Sequence, residues 1–149
     1  MDTEIVVTGI REIGIERIFG GIVDFASARS VNTVEVMFGW GCNLGPDDLW
    51  VRIPVPLVSL TSLVEEKSRL GIFQFGESDL YVSTGQFEFK ICHEGDLHFK
   101  SEDGRLIVEV ANLWKEFGHT VRMAADTGDP RVLRKMARFE RWRLRVRVT

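Results

Sequence analysis

The sequence has few cysteines and no long apolar run, and each absence excludes a class of protein. Cys42 and Cys92 are the only cysteines among 149 residues, so a disulfide framework cannot form and reduced, buried thiols are expected. No segment approaches the roughly 20 apolar residues that a membrane-spanning helix needs. The acidic start, Met1–Glu4, is not followed by the apolar segment of a secretory signal. We therefore predict a cytoplasmic protein without a membrane partner.

Catalytic signatures are also missing. The sequence contains no G-x-x-x-x-G-K phosphate loop, no G-x-S-x-G nucleophile motif, no H-E-x-x-H zinc motif and no dinucleotide-binding fingerprint. We therefore assign no catalytic residue, no metal ligand and no cofactor, and we favour a binding protein over an enzyme.

What is present is the composition of one globular domain. Hydrophobic residues make up 44% of the chain and charged residues 28%, and no internal repeat, low-complexity run or linker divides it. These properties predict a single domain over residues 1–149.

Alternating apolar and polar residues predict several strands. In residues 32–40 one set of alternate positions is apolar, which predicts a half-buried strand; this set is Val34, Val36, Phe38 and Trp40. The alternating run 49–55 contains Pro54 and is followed by Pro56, and both lack the N–H of a central strand, so this strand belongs at an edge. Further strands are predicted at 72–75, 80–83, 86–92 and 97–100. Two apolar runs, 4–10 and 17–25, predict an N-terminal hairpin with a bulge at Gly20 and Gly21.

Helical periodicity predicts two or three helices. Apolar stripes cover residues of about 59–70 and 105–117, with Asp103 as an N-cap and Gly71 and Gly118 just past the ends. The dipeptide Asp129-Pro130 opens a shorter third helix. Many strands combined with few helices predict an α+β fold, a mainly antiparallel twisted sheet with two to three helices packed on it.

Charge is distributed unevenly along the chain. Residues 129–149 carry a net charge of +6, which leaves −9 on the preceding 128 residues. Four arginines alternate with apolar residues in a predicted C-terminal strand; they are Arg141, Arg143, Arg145 and Arg147. Such a row of cations can pair with acidic residues of the same chain, contact an acidic protein surface or follow nucleic-acid phosphates. The acidic chain as a whole favours a protein partner over nucleic acid.

An acidic pair follows a glycine-rich loop in residues 41–48. Asp47 and Asp48 can bind a cation or position a water, whereas a solvated turn that leads into a strand is the preferred interpretation. We include these two residues with the four arginines as predicted partner-binding residues.

The segment from His93 to His98 is the strongest candidate for metal or acid–base chemistry. Its two histidines are accompanied by Glu94 and Asp96 within six residues. A hairpin that turns at 94–96 and pairs Ile91 with Phe99 places the histidines on opposite faces of the sheet, where they cannot share one ion. A structural role is therefore the preferred interpretation, and a metal-dependent enzyme remains an alternative.

A partial resemblance covers about residues 49–118. It consists of a strand that ends Ile53-Pro54-Val55-Pro56, a helix, the segment 71–80 (GIFQFGESDL), the segment 87–99 (FEFKICHEGDLHF) and a helix that carries Trp114. This pattern resembles small bacterial proteins of the toxin-immunity type. The resemblance implies a protein that acts stoichiometrically by covering a toxin's active surface, and it implies no catalytic residue.

Three hypotheses of function follow, in order of preference. The first is a cytoplasmic, non-enzymatic binding protein of the immunity type with a protein partner. The second is nucleic-acid association through the arginine strand, and the third is the metal-dependent enzyme. The sequence leaves the partner and the oligomeric state open.

Overall fold

The computed structural model describes residues 3–124, and these residues form an α+β fold that confirms the predicted class. Three helices accompany one seven-stranded sheet. The strands are β1 (Thr3–Val7), β2 (Thr33–Phe38), β3 (Ile53–Pro56), β4 (Leu80–Ser83), β5 (Glu88–Ile91), β6 (Leu97–Ser101) and β7 (Arg122–Met123). The helices are α1 (Glu12–Ala28), α2 (Leu57–Arg69) and α3 (Gly104–Glu116). The predicted third helix from Asp129 and the arginine strand lie outside the described residues.

The sheet is antiparallel at every described pair, in the order β3-β2-β4-β5-β6-β1-β7. β3 lies at one edge, as Pro54 and Pro56 predict. The order departs from the chain order twice, because β2 lies between β3 and β4, and β1 lies between β6 and β7. The first strand of the chain is therefore paired with two of the last strands described.

One apolar core lies between the sheet and the three helices. Alternate strand residues face it, including Val36, Phe89 and Phe99, and each helix adds an apolar stripe because its buried residues recur at helical spacing. Asp103 caps α3 by accepting a hydrogen bond from the backbone N–H of Arg105 at 2.9 Å, as predicted.

The predicted N-terminal hairpin is wrong, because its second strand is the long helix α1. The buried residues of α1 are Ile15, Ile18, Phe19, Ile22, Phe25 and Ala26, a spacing of three and four residues. The two glycines form no bulge. At Gly21 a side chain would approach the Phe117 ring to 3.2 Å, so this glycine lets α1 lie close to the end of α3.

The predicted strand at 72–75 is also wrong, because the segment forms the turn that leaves α2. The backbone N–H groups of Ile72 and Phe73 both donate to the carbonyl of Lys67. Gly71 and Gly76 flank the segment with positive φ angles of 74° and 88°, which turn the chain out of an extended path.

The sheet face opposite the helices carries several buried polar side chains. They belong to Glu4, Lys90, His98 and Lys100, and none of these residues is more than 8% exposed. Lys100 is opposite Glu4 on one neighbouring strand and opposite Glu88 on the other, so opposite charges alternate across the strands.

Candidate functional site

The hairpin between β5 and β6 separates the two histidines, but its register differs from the predicted one. Ile91 is opposite Leu97 rather than Phe99, and the N–H of Cys92 donates to the carbonyl of Asp96 at 2.8 Å. The three-residue loop is therefore 93–95 and not 94–96. Gly95 at its third position has a φ of 84°, a conformation in which glycine is favoured, and this requirement fixes the register.

His93 lies in this loop and is held by a buried carboxylate. Asp79, which is 1% exposed, accepts hydrogen bonds on Oδ1 from the backbone N–H of His93 at 2.7 Å and contacts its Nδ1 at 2.8 Å. The other ring nitrogen, Nε2, is 3.4 Å from the Glu94 carboxylate. Asp79 thus fixes both the loop backbone and the orientation of the ring.

His98 lies on the polar sheet face, apart from His93. Its Nδ1 is 2.7 Å from the Oε1 of Glu4, and its buried Nε2 has no hydrogen-bond partner within residues 3–124. Burial lowers the pKa of His98 below its usual value; the hydrogen bond to Glu4 opposes this shift, and Lys90 adds to it. His98 is therefore neutral at pH 7.

The four polar residues of the predicted metal segment do not converge. His93 and Glu94 lie in the loop, whereas Asp96, predicted as a turn residue, is buried and closes the loop by its backbone. Within residues 3–124, no three side chains of the metal-binding types are grouped so that they could hold an ion.

The neutral, buried His98 predicts a stability that depends on pH. Because its folded-state pKa lies below the unfolded value, the unfolded chain binds more protons, and the free energy of unfolding falls as the pH is lowered through about 6.5 and below. One proton corresponds to at most about 1.4 kcal/mol per pH unit. Urea titrations of the wild type at pH 7 and pH 5 measure this loss.

The control is a double variant, Glu4→Gln with His98→Gln, which keeps a hydrogen-bonded pair without an imidazole. We expect a flatter dependence on pH in this range. An equally steep decline in the double variant would assign the effect to other groups.

Neither of the two cysteines forms a disulfide within residues 3–124. Cys92 is completely buried, and burial raises the pKa of the Cys42 thiol to about 11. A thiol with this pKa is protonated at neutral pH and is a weak nucleophile.

The most distinctive surface feature is the aromatic loop, residues 39–52, which joins β2 to β3. Backbone hydrogen bonds tie it to the rest of the fold. The N–H of Asp79 donates to the carbonyl of Trp40 at 2.7 Å, and the N–H of Asn43 donates to the carbonyl of Ile72 at 2.8 Å. The hydroxyl of Ser78 donates to the carbonyl of Gly41 at 2.9 Å. The loop is therefore held in one shape by contacts at several points.

Two tryptophans and a tyrosine form a row of rings at this loop. Trp50 packs edge-to-face against Trp40, with ring centroids 5.7 Å apart, and against Tyr81 at 5.1 Å. The ammonium of Lys90 lies 5.0 Å from the centre of the Tyr81 ring. Such contacts contribute about 0.5–1.5 kcal/mol for each aromatic pair.

The loop backbone is shaped to position Trp50. This residue has a φ of 62°, which is rare for a bulky side chain and costs about 1–3 kcal/mol. Its N–H donates to the carbonyl of Phe38 at 2.8 Å, and its indole lies over Gly39, where any side chain would overlap the ring. The fold thus maintains a strained residue to place this indole.

Trp40 is the exposed end of the row, contrary to the prediction that it continues the buried side of β2. The strand ends at Phe38, and 49% of Trp40 is exposed. The sequence signal was the pair of glycines that flank Trp40, because glycine on both sides of a residue indicates the end of a regular strand.

Acidic side chains surround this loop. The predicted partner-binding residues Asp47 and Asp48 are exposed in its turn. At Gly41 the loop borders a cleft of about 450 Å³ whose wall carries four glutamates. They are Glu12, Glu16, Glu65 and Glu77. The aromatic loop therefore carries two exposed carboxylates in its turn and borders four more at the cleft.

The other predicted partner-binding residues, Arg141, Arg143, Arg145 and Arg147, lie outside the described residues. The structure therefore leaves the nucleic-acid hypothesis as a prediction from sequence.

Comparison with known proteins assigns neither a family nor a function to this chain. No protein-family model matches the chain, and no curated protein is similar to it. Within residues 3–124, none of the helices has the length and apolar character needed to cross a membrane. The described residues thus form an α+β fold with an aromatic loop that is anchored by hydrogen bonds and carries two exposed aspartates.

Proposed function

We propose that this protein is a cytoplasmic, non-enzymatic binding protein of the immunity type, which acts by stoichiometric contact with a protein partner. The observation that carries the proposal is the exposed Trp40 indole. It packs against Trp50 in a loop that is strained at Trp50 and anchored by hydrogen bonds.

Tryptophan is the residue type most often found to dominate the energy of a protein interface. The Trp40 ring is exposed but held in place. The Trp50 ring packs against it, and the backbone N–H of Asp79 donates a hydrogen bond to the Trp40 carbonyl. A ring held in this way loses little conformational freedom when it enters a pocket, and this preorganisation favours affinity.

The acidic surroundings define the class of partner. Asp47, Asp48 and the four glutamates of the neighbouring cleft give this surface a negative potential. A partner with a basic rim around an apolar pocket would be attracted over a distance and would associate quickly. Basic active surfaces of this kind occur in proteins that act on nucleic acids.

The remaining polar groups support binding over catalysis. His93 is engaged by Asp79 and His98 by Glu4, while the Cys42 thiol has a pKa of about 11. Each of these reactive side-chain types is thus held in a contact that maintains the fold.

The proposal predicts that Trp40→Ala removes most of the affinity for the partner. The protein is tagged in its native cell, and the proteins captured with it are quantified. A captured protein that also forms a one-to-one complex when reconstituted with this chain is the candidate partner. We expect Trp40→Ala to weaken that complex at least about 30-fold, the effect of a dominant interface residue. Asp47→Asn with Asp48→Asn should mainly slow association at low salt.

Val58→Ala is the matched control, because Val58 is 92% exposed on α2 and also presents an apolar side chain. It should bind as the wild type does. Equal binding by Trp40→Ala and Val58→Ala would refute the proposal, as would a monomeric protein that captures no partner.

A further inference from the structure

A second cleft lies at the opposite end of the sheet, beside β1 and β7. It has a volume of about 460 Å³ and is formed by the connection from β1 to α1 and by the segment that follows α3. This volume lies within the range of about 300–1,000 Å³ that is usual for small-molecule sites.

Two guanidinium groups and an imidazole line this cleft. They belong to Arg11, Arg122 and His119, although the first 128 residues carry a net charge of −9. Three other arginines are ion-paired: Arg29 with Glu109, Arg52 with Glu35 and Arg105 with Asp103. Within residues 3–124, Arg11 and Arg122 make no such ion pair, so both guanidinium groups can meet a ligand.

The same wall supplies hydroxyl donors and an apolar floor. Thr8 and Thr120 are exposed at the cleft, and the buried Val6 and Val7 lie behind them. The His119 ring approaches α1 closely, since a side-chain carbon at Gly14 would lie 3.8 Å from its Cε1. This distance is an ordinary van der Waals contact, so the imidazole packs beside α1 at this end of the cleft.

We propose that this cleft binds a small anion that carries a phosphate group. Guanidinium groups match the geometry of phosphate oxygens and can donate two hydrogen bonds each, and the threonine hydroxyls complete the donor set. An extended polyanion is disfavoured because the first 128 residues carry a net charge of −9. This site is independent of the aromatic loop and of the proposed protein partner.

Inorganic phosphate is the probe, titrated against chloride at constant ionic strength. We expect a saturable rise in the melting temperature with phosphate only. The His119 ring resonances should shift along the same binding curve in NMR spectra of the wild type, a readout that does not depend on any variant.

Arg11→Gln and Arg122→Gln should each weaken phosphate binding about tenfold, because each removes one charge-assisted contact. Arg69→Gln is the matched control, since it removes the same charge from an exposed position at the end of α2 and should leave binding unchanged. Circular dichroism confirms that each variant is folded.

Glycerol phosphate is the second probe, because it distinguishes an organic phosphate ester from free phosphate as the ligand. Tighter binding than that of inorganic phosphate assigns an organic phosphate ester, and equal binding assigns free phosphate. The proposal is overturned if phosphate has no effect beyond that of chloride, if the His119 resonances do not move, or if Arg69→Gln weakens binding as much as Arg122→Gln. A DNA duplex that binds more tightly than either phosphate probe and displaces it would also overturn the small-anion class.

Discussion

Phe99→Ala is expected to lower the free energy of unfolding by about 3–5 kcal/mol, the usual range for truncating a buried aromatic ring. Phe99 has no exposed surface and lies on β6, where the sheet faces the helices. Its ring stacks on Phe87 at 5.0 Å and makes edge-to-face contacts with Phe25 of α1 at 5.9 Å and Trp114 of α3 at 6.4 Å. Truncation therefore removes one ring that connects the sheet to two helices.

Domains of this size have a total stability of about 5–15 kcal/mol, so this loss is a large fraction of the whole. Urea unfolding followed by fluorescence measures the loss of stability. An unchanged slope of the free energy of unfolding against urea concentration shows that the transition is still two-state. Val108→Ala on the exposed side of α3 is the control, and its effect should stay within about 0.5 kcal/mol. A loss below 1 kcal/mol for Phe99→Ala would contradict the described packing.

Gly39→Ala is the second large effect, and it concerns the aromatic loop. The added methyl group overlaps the Trp50 indole, which must leave its place between Trp40 and Tyr81. Overpacking of this kind costs about 1–3 kcal/mol. Because Trp40 then loses its support, binding of the partner should weaken as well.

A double-mutant cycle with Trp50→Ala separates the clash from other effects. With the indole removed, the methyl group at position 39 has nothing to overlap, so Gly39→Ala should be nearly neutral in that background. Equal losses in the two backgrounds would show that backbone conformation at Gly39, and not the indole, causes the effect.

Local patterns predicted the elements that depend on local rules. α3 has an apolar stripe, an N-cap at Asp103 and a glycine after its end, and each of these signals acts within a few residues. β2 and the edge position of β3 were predicted for the same reason, because alternation and the missing proline N–H are properties of the strand itself.

The errors arose where several structures satisfy one local pattern. Gly20 and Gly21 are also typical of a β-bulge, and only the packing of Gly21 against Phe117 shows why the helix has a glycine at position 21. The odd–even pattern of the β5–β6 hairpin fits two registers, and the positive φ required at Gly95 selects one. The aromatic loop was missed as a unit because Trp50 and Tyr81 are 31 positions apart and meet only after β2 and β4 have paired.

The position of β1 in the sheet has a consequence for synthesis of the chain on the ribosome. Thr3 pairs with Ser101, so among the described strands β1 has no partner until β6 (Leu97–Ser101) has been made. Closing so long a loop is entropically slow, and contacts of this range are typical of proteins that fold late and cooperatively. The largely apolar residues IVV of β1 thus stay unpaired with β6 during much of translation, and an unpaired apolar strand is the kind of segment that chaperones bind.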